Sequence, residues 1–181
     1  MSTHEPAAHR LSRAIALALS ASLGLAAVQA QAATLTVTSS ADPGDATTCT
    51  LRQAITSVND GAYDGTCSAN ASGSFGSDDT IVFDTTAFPA GGSNTITLSG
   101  SALSVTAADL TIDASANGNV TVDANQHSRV MIDTAAWGTG ASLALSHLTL
   151  RNGKVTTGDC VNAFVGGAVC TQYVDLILRN S

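Results

Sequence analysis

Short apolar triplets separated by polar turns are the dominant pattern of this chain. In each triplet two apolar residues flank a third residue, as in Leu110-Thr111-Ile112. Alternation with a period of two is typical of a β-strand with one buried face. The nine triplets lie at residues 81–83, 96–98, 103–105, 110–112, 120–122, 130–132, 143–145, 148–150 and 176–178. The same alternation at Leu35 and Val37 predicts an earlier strand over 34–38.

Strands this short cannot each bury an apolar face alone, so we expect them to stack. Three short strands per coil, with coils stacked in parallel, form a solenoid. The sequence therefore predicts an all-β protein, a right-handed parallel β-helix with a short N-terminal capping α-helix. An antiparallel sandwich is the alternative, but it favours strands of about 5 to 6 residues joined by tight hairpins. Asn117-Gly118 lies in a longer loop and Asn152-Gly153 starts a long turn, so neither supports it.

One amphipathic helix is predicted ahead of the triplets. Leu51, Ala54, Ile55 and Val58 recur at helical spacing, Thr48 or Thr50 is placed to cap the start, and the helix should end near residues 59–61. A helix here would cover the exposed end of a stack. The predicted core comprises Leu51, Ile55, Val82, Ile96, Leu98, Leu110, Ile112, Val120, Val122, Val130, Ile132, Leu143, Leu145, Leu148 and Leu150.

The first 32 residues have the three parts of a secretory signal peptide. Arg10 and Arg13 supply positive charge, an uncharged apolar run covers 14–28, and residues 30–32 match a small-x-small cleavage pattern. The alternative is a membrane anchor, but a run of about 15 residues is shorter than the roughly 20 that span a bilayer. The expected division is a signal peptide at 1–32, an N-terminal cap at 33–80, and coils at 81–181 that are incomplete at the C-terminus.

The charge of the chain limits its partners. The whole chain has 7 Lys and Arg against 14 Asp and Glu, a net charge of −7. Beyond residue 32 there are 5 basic residues, 13 Asp and no Glu, which makes the net charge −8. A surface this acidic argues against nucleic acid and anionic lipid as partners. No second long apolar run follows the signal segment, so no membrane span is expected after cleavage.

All four cysteines follow the signal segment, in the part expected to be exported. An oxidising compartment lets an even number of cysteines pair. Of the three connectivities, we favour the sequence-local one, Cys49 with Cys67 and Cys160 with Cys170. The alternative is a metal site, which the absence of a C-x-x-C motif and of a neighbouring His disfavours.

Residues 49–54 resemble a motif of exported bacterial β-helix proteins. The motif is usually written C-S-L-R-E-A, and here it is Cys49-Thr50-Leu51-Arg52-Gln53-Ala54. Segments 78–83, 110–113, 148–153 and 166–169 are similar to recurring phrases of the same proteins. The resemblance implies a large secreted or surface protein in the style of adhesins and polymorphic outer-membrane proteins, of which this chain would be a truncated part.

Parallel β-helices of the pectin-lyase type also include polysaccharide lyases and hydrolases, so the carboxylates are candidates for a functional site. Asp109, Asp113, Asp123 and Asp133 flank successive strands and are weak candidates for a Ca²⁺ site, the one cofactor considered. The alternative is that each Asp closes a turn by binding its own backbone, and this is favoured.

No catalytic residue is predicted. Asp78-Asp79 is the only adjacent acidic pair, and the two side chains should point to opposite sides of an extended backbone. Arg129 and Arg151 are the candidates for a lyase base, but a solvated arginine on a turn explains Arg151 without any chemistry. Arg52 is expected to pair with Asp60 or with a carbonyl at the helix end.

These observations predict a secreted or cell-surface scaffold without catalytic activity, used for adhesion or display. Its partner would be an extracellular glycan or a component of a host or cell surface. A polysaccharide lyase or glycoside hydrolase is the alternative, and a truncated fragment with no function of its own is a third.

Overall fold

The computed structural model describes residues 32–107, 109–136, 140–155, 164–165 and 167–181. The predicted signal peptide therefore lies outside the described residues, apart from Ala32. Thirteen strands and one α-helix, α1, Leu51–Asp60, are present in the described residues. The strands are β1 Thr34–Val37, β2 Ala71–Ser72, β3 Asp79–Phe83, β4 Thr95–Thr97, β5 Leu103–Val105, β6 Asp109–Asp113, β7 Val120–Asp123, β8 Met131–Asp133, β9 Ser142–Ser146, β10 Leu148–Arg151, β11 Phe164–Val165, β12 Val169–Thr171 and β13 Asp175–Arg179.

The strands form three sheets in which nearly all neighbours are parallel. The six-stranded sheet has the order β13-β9-β6-β3-β1-β2, the three-stranded sheet β10-β7-β4, and the four-stranded sheet β11-β12-β8-β5. In the part of the chain that the structure describes, only β1 with β2 and β11 with β12 pair antiparallel. Apart from β11 and β12, neighbouring strands of a sheet are distant in sequence, so each sheet depends on long-range pairing.

Matching apolar residues fix the register of the largest sheet. Leu35, Ile81, Ile112, Leu145 and Leu178 lie side by side on five adjacent strands. The first four are fully buried. A strand shifted by one residue would turn its apolar side chains to the exposed face, so burial selects this register. The apolar alternation seen in the sequence is thus the feature that aligns these strands.

The fold class predicted from the sequence is wrong. The chain is a mixed α/β protein with three mostly parallel sheets and a helix, not an all-β right-handed parallel β-helix. Helix α1 packs against β1, β3 and β5 and contributes to the same hydrophobic core as the sheets. The triplet pattern indicates only that short strands must pack on other elements. It does not determine which strands pair in one sheet, or whether a helix packs in the same core, and the predicted fold class depended on both.

Helix α1 itself forms where it was predicted. The Thr50 hydroxyl accepts a hydrogen bond from the N–H of Gln53, and the Gln53 side chain accepts one from the N–H of Thr50 at 3.0 Å, which forms a capping box. Gly61 ends the helix in the left-handed conformation, with φ of 60°. Leu51, Ala54 and Ile55 are buried, as the helical spacing predicted.

A disulfide joins Cys49 to Cys67, as predicted. Both cysteines are fully buried, and they connect the residue just before the Thr50 cap to a short 3-10 turn at Cys67–Asn70. For the second predicted pair, Cys160 lies outside the described residues, so that pairing stays a prediction. Among the described residues, no helix has the length and apolar character needed to cross a lipid bilayer.

Candidate functional site

The four aspartates weighed as a Ca²⁺ site lie in three different sheets. Asp109 and Asp113 occupy the two ends of β6, Asp123 ends β7, and Asp133 ends β8. Within the described residues, no three His, Cys, Asp or Glu side chains are close enough to hold a metal ion. The structure therefore does not bring the four carboxylates together.

Aspartates at or just after strand ends make the same local contact. In four of them one carboxylate oxygen accepts a hydrogen bond from the N–H two residues further on, at 2.9, 2.9, 2.8 and 3.1 Å. The four residues are Asp84, Asp113, Asp123 and Asp133. This contact is the Asx turn, in which a short carboxylate replaces a backbone acceptor. Turn closure, the favoured interpretation of these residues, agrees with this geometry.

Asp109 is bound in a different way. Its carboxylate accepts hydrogen bonds from the N–H and the hydroxyl of Ser142, both at 2.9 Å. Ser142 is the residue that pairs with Asp109 between strands β6 and β9. Asp109 therefore stabilises the alignment of these two strands.

Asp123 binds both residues that end or follow strand β10. Arg151 donates from Nε to its carboxylate at 2.8 Å, and Asn152 donates from Nδ2 to both oxygens, at 2.9 and 3.1 Å. The N–H of Asn125 and the Asn152 amide contribute most to lowering the pKa of Asp123, and Arg151 adds to them. Arg151, one candidate for a lyase base, is thus an ion-pair partner between neighbouring strands.

The remaining catalytic candidates, Arg129 and the pair Asp78-Asp79, also lack the geometry of a catalytic site. Arg129 is fully buried, so its guanidinium is not presented to a polymer at the surface. Asp79 is buried and accepts hydrogen bonds from the N–H groups of Ala33 at 2.7 Å and Gly76 at 3.3 Å, whereas Asp78 is exposed. The adjacent acidic pair is therefore split between interior and surface and does not form a pair of facing catalytic carboxylates.

The ion pair between Arg52 and Asp42 was not predicted. Arg52 donates to the Asp42 carboxylate from Nε at 2.6 Å and from Nη2 at 2.9 Å, and also to the carbonyls of Ser101 and Ala102. The expected partner, Asp60, lies at the other end of the helix. Asp42 is ten residues earlier in a turn, and no local pattern relates it to Arg52.

Asp42 is the more deeply buried member of this pair. Its side chain is 1% exposed, against 21% for Arg52. Burial opposes its ionisation, but hydrogen bonds from Arg52 and Ser99 outweigh that effect and lower its pKa. The pair joins the helix to the segment before β5, because Ser99, Ser101 and Ala102 all contact it.

A cavity of about 510 Å³ lies beside this ion pair. It is open to solvent and its lining includes Asp45, Arg52, Gln53 and Asp64. Gln53 is engaged in the capping box and donates from Nε2 to the carbonyl of Asp45 at 2.6 Å. The Asp45 carboxylate accepts hydrogen bonds from Thr47, which lower its pKa. These polar groups order the helix start and its loop, and they do not form a nucleophile–base pair.

Each residue of the motif at 49–54 has a structural role. Cys49 forms the disulfide, Thr50 and Gln53 form the capping box, and Arg52 holds Asp42. The other two residues, Leu51 and Ala54, are buried in the core. The motif therefore accounts for local folding at the start of the helix.

Among the described residues, Asp133 is the one carboxylate whose pKa is clearly raised. It takes an inward position in the sheet, between Val105 and Thr171 on the adjacent strands, and it is 1% exposed. Burial raises its pKa to about 6, and the hydrogen bond from the N–H of Ala135 only partly opposes this. Because burial raises the pKa of Asp133 in the folded protein above its ordinary value of 3.8, folding is favoured while Asp133 is protonated, and this contribution is lost as the pH rises through 6.

We expect the Asp133→Asn variant to be more stable than the parent protein above pH 7, by about 2–3 kcal/mol, the free energy that corresponds to a pKa raised from 3.8 to about 6. The asparagine keeps an oxygen for the N–H of Ala135 and carries no charge to bury. Urea denaturation at several pH values checks this, and the difference between the two proteins should shrink as the pH falls towards 4.

The matched control is Asp113→Asn. Hydrogen bonds from Ser115 outweigh burial and lower the pKa of Asp113, so its stabilising effect is present at neutral pH and is lost in acid. This variant should therefore be less stable than the parent protein at pH 7, with a difference that also shrinks in acid. If Asp133→Asn were also less stable than the parent protein at pH 7, that result would contradict the raised pKa and the burial of Asp133.

The chain matches no protein-family model, and comparison with curated proteins and with solved structures finds no match.

Proposed function

We propose that this chain is an exported protein without catalytic activity that serves in adhesion or surface display. The observation that carries the proposal is the engagement of its carboxylates. Asp42, Asp79, Asp109 and Asp123 each bind backbone N–H groups or side chains that join separate segments of the chain. A glycan-cleaving site needs two carboxylates that face each other across a groove, and the acidic groups described above face their own turns and strands.

Export is supported by the disulfide. The Cys49–Cys67 bond is compatible with an extracellular location, where disulfides form and persist. The signal-peptide pattern of residues 1–32 supports the same compartment. The similarity of residues 49–54 to the C-S-L-R-E-A motif supports a place among secreted and surface proteins.

The proposed partner is an extracellular glycan or a component of another cell's surface. The net charge of −7 for the chain disfavours nucleic acid and anionic lipid. Neutral or cationic groups on a cell surface are the chemistry that an acidic protein can approach without electrostatic repulsion.

The test measures turnover and binding on the same preparation. The full chain is produced in an exporting host, purified in oxidised form and shown to be folded by circular dichroism. It is then incubated with acidic and neutral polysaccharides, with and without Ca²⁺, while reducing ends and unsaturated ends are followed. Binding to a glycan array and to intact cells is measured in parallel. We expect saturable binding and no release of ends.

Two results would overturn the proposal. One is release of ends that disappears in Asp109→Asn, Asp113→Asn or Asp123→Asn but persists in Asp60→Asn, an exposed carboxylate at the end of α1. That result would make the chain a lyase or a hydrolase. The other is a folded protein that neither cleaves nor binds, which would exclude adhesion.

A further inference from the structure

Strand β13 forms an open edge of the largest sheet. It is the terminal strand in the order β13-β9-β6-β3-β1-β2, and β9 is its only strand neighbour among the described residues. Leu176, Ile177 and Leu178 are 37%, 37% and 56% exposed. An exposed, apolar edge with unpaired N–H and C=O groups is a template for pairing with another strand.

An apolar cavity adjoins this edge. A cavity of about 420 Å³ opens beside it and is lined mainly by apolar side chains. These include Leu148 and Leu150 of β10, Val169 of β12, and Leu176 and Leu178 of β13 itself. Leu176 and Leu178 pair with Leu143 and Leu145, which are fully buried one strand further in. The edge thus ends a core that the described residues leave partly uncovered.

The sequence of β13 is self-complementary in charge. It reads Asp175-Leu176-Ile177-Leu178-Arg179, with an acid at one end, a base at the other and apolar residues between them. In an antiparallel pair of two such strands centred on Ile177, each Asp175 lies opposite an Arg179 and each Leu176 opposite a Leu178. Opposite charges on facing positions stabilise an antiparallel pair, and like charges destabilise it.

The faces of the strand are consistent with this pairing. Residues alternate between the two faces of a strand, so Leu176 and Leu178 share the core face with buried Leu143 and Leu145. Asp175, Ile177 and Arg179 then share the outer face. A two-fold axis perpendicular to the sheet at Ile177 keeps core face with core face in the two copies. Such a contact is isologous, the form that closes a symmetric dimer.

We propose that β13 pairs antiparallel with β13 of a second copy of this chain, with ion pairs between Asp175 of each copy and Arg179 of the other. A parallel pair in register would place Asp175 beside Asp175 and Arg179 beside Arg179, so the charge pattern selects the antiparallel arrangement. The same pattern favours a second copy over an unrelated strand, because only a strand of this charge order satisfies both ends at once.

Charge reversal tests the proposal without disturbing the core, since all five residues of β13 are exposed. In Asp175→Arg, two arginines face each other at both ends of the dimer, and in Arg179→Asp two aspartates do. We expect each single variant to raise the dimer dissociation constant at least ~10-fold relative to the parent protein. Sedimentation equilibrium over a range of protein concentrations, at low and at high salt, measures this directly.

Mixing the two single variants gives the sharper result. Asp175→Arg in one copy faces Arg179→Asp in the other at one end of the pair, while the native Arg179 and Asp175 face each other at the second end. We therefore expect the mixture to form a heterodimer with a dissociation constant close to that of the parent dimer, although each variant alone dimerises more weakly. The double variant carrying both changes should dimerise by itself, because its charge order is only reversed.

Control variants carry the same change in charge outside β13. Asp60→Arg matches Asp175→Arg, and Lys154→Asp approximates Arg179→Asp. Both controls lie at exposed positions and should leave the dissociation constant unchanged.

Ile177→Lys places two lysines at the two-fold axis and should abolish the dimer with no change in the thermal midpoint of the monomer. A protein that stays monomeric at all concentrations would assign the edge to a different partner and overturn the proposal. A dimer that is insensitive to every change in β13 would place the contact elsewhere and would overturn it equally.

Discussion

Replacing Ile112 by Asp is expected to unfold the protein at room temperature. Ile112 is fully buried on β6, between Ile81 and Leu145 on the adjacent strands of the largest sheet. The change removes about 1.5–3 kcal/mol of hydrophobic burial and introduces a carboxylate with no partner in an apolar layer, which costs several kcal/mol more. A domain of this size is stable by about 5–15 kcal/mol, so the sum removes most or all of it.

Far-UV circular dichroism and thermal unfolding measure the effect. The matched control is Thr111→Asp, which places the same side chain one residue earlier on the opposite, partly exposed face of the strand. We expect this control to keep the β signal and to lose no more than about 1 kcal/mol, since substitutions outside the core usually have small effects. If Ile112→Asp kept the β signal and the thermal midpoint of the parent protein, the register of β6 would be wrong.

The strands were predictable because their signal is local. Each of the nine triplets overlaps a strand, and the helix lies within one residue of its predicted bounds. Alternation and capping act over a few residues, so they can be read without knowing what the segment packs against. The short strands β2, β11 and β12 carry no triplet and were missed.

Alternation also explains two of the three errors in the predicted core. Val82, Ile132 and Leu150 were placed in the core but are only partly buried. Val82 is the middle residue of its triplet and faces away from buried Ile81 and Phe83. In β8 the inward residues are Met131 and Asp133, so the apolar residue between them faces out and an acid takes its place inside. An inward aspartate contradicts the usual pairing of burial with apolar residues, and no sequence pattern marks it.

Neither the fold class nor the Arg52–Asp42 ion pair could be predicted from local sequence patterns, and the reason is the same for both. The three sheets depend on pairings between residues about 30 positions apart, such as Ile81 with Ile112, and many strands carry equivalent apolar pairs. Arg52 could pair with several acids, and burial against residues 99–102 selects Asp42. Long-range choices of this kind are decided by packing, so composition and periodicity cannot distinguish them.

The geometry of the aspartates favours turn closure over a Ca²⁺ site. The Asx-turn contacts at Asp84, Asp113, Asp123 and Asp133 use one oxygen of each carboxylate for the local backbone. These residues follow short strands, where the chain must turn sharply and its N–H groups would otherwise lack acceptors. The abundance of Asp and the lack of Glu beyond residue 5 fit this role, because the shorter side chain reaches its own backbone.

Removing the Cys49–Cys67 disulfide is expected to destabilise the protein by about 2–5 kcal/mol. The bond closes a segment with a sequence separation of 18, which contains helix α1 and the loop after it. It also fixes the helix start, since Cys49 lies next to the Thr50 cap and its carbonyl accepts a hydrogen bond from the N–H of Thr38 at 2.8 Å. Without the bond, the unfolded chain gains conformational freedom and the loop at 61–66 loses its covalent attachment to the core.

The double variant Cys49→Ala/Cys67→Ala tests this by urea denaturation, with alanine chosen because both positions are fully buried and a hydroxyl there would lack an assured partner. The parent protein in reductant should approach the stability of this variant if this bond provides most of the disulfide stabilisation. The control Cys160→Ala/Cys170→Ala isolates the contribution of the second predicted pair and should retain the response of Cys49–Cys67 to reductant. A loss below about 1 kcal/mol in the first variant would mean that the capping box and the Arg52–Asp42 ion pair hold the helix without the disulfide. A loss in the expected range makes this covalent bond a main source of stability for the segment that contains α1.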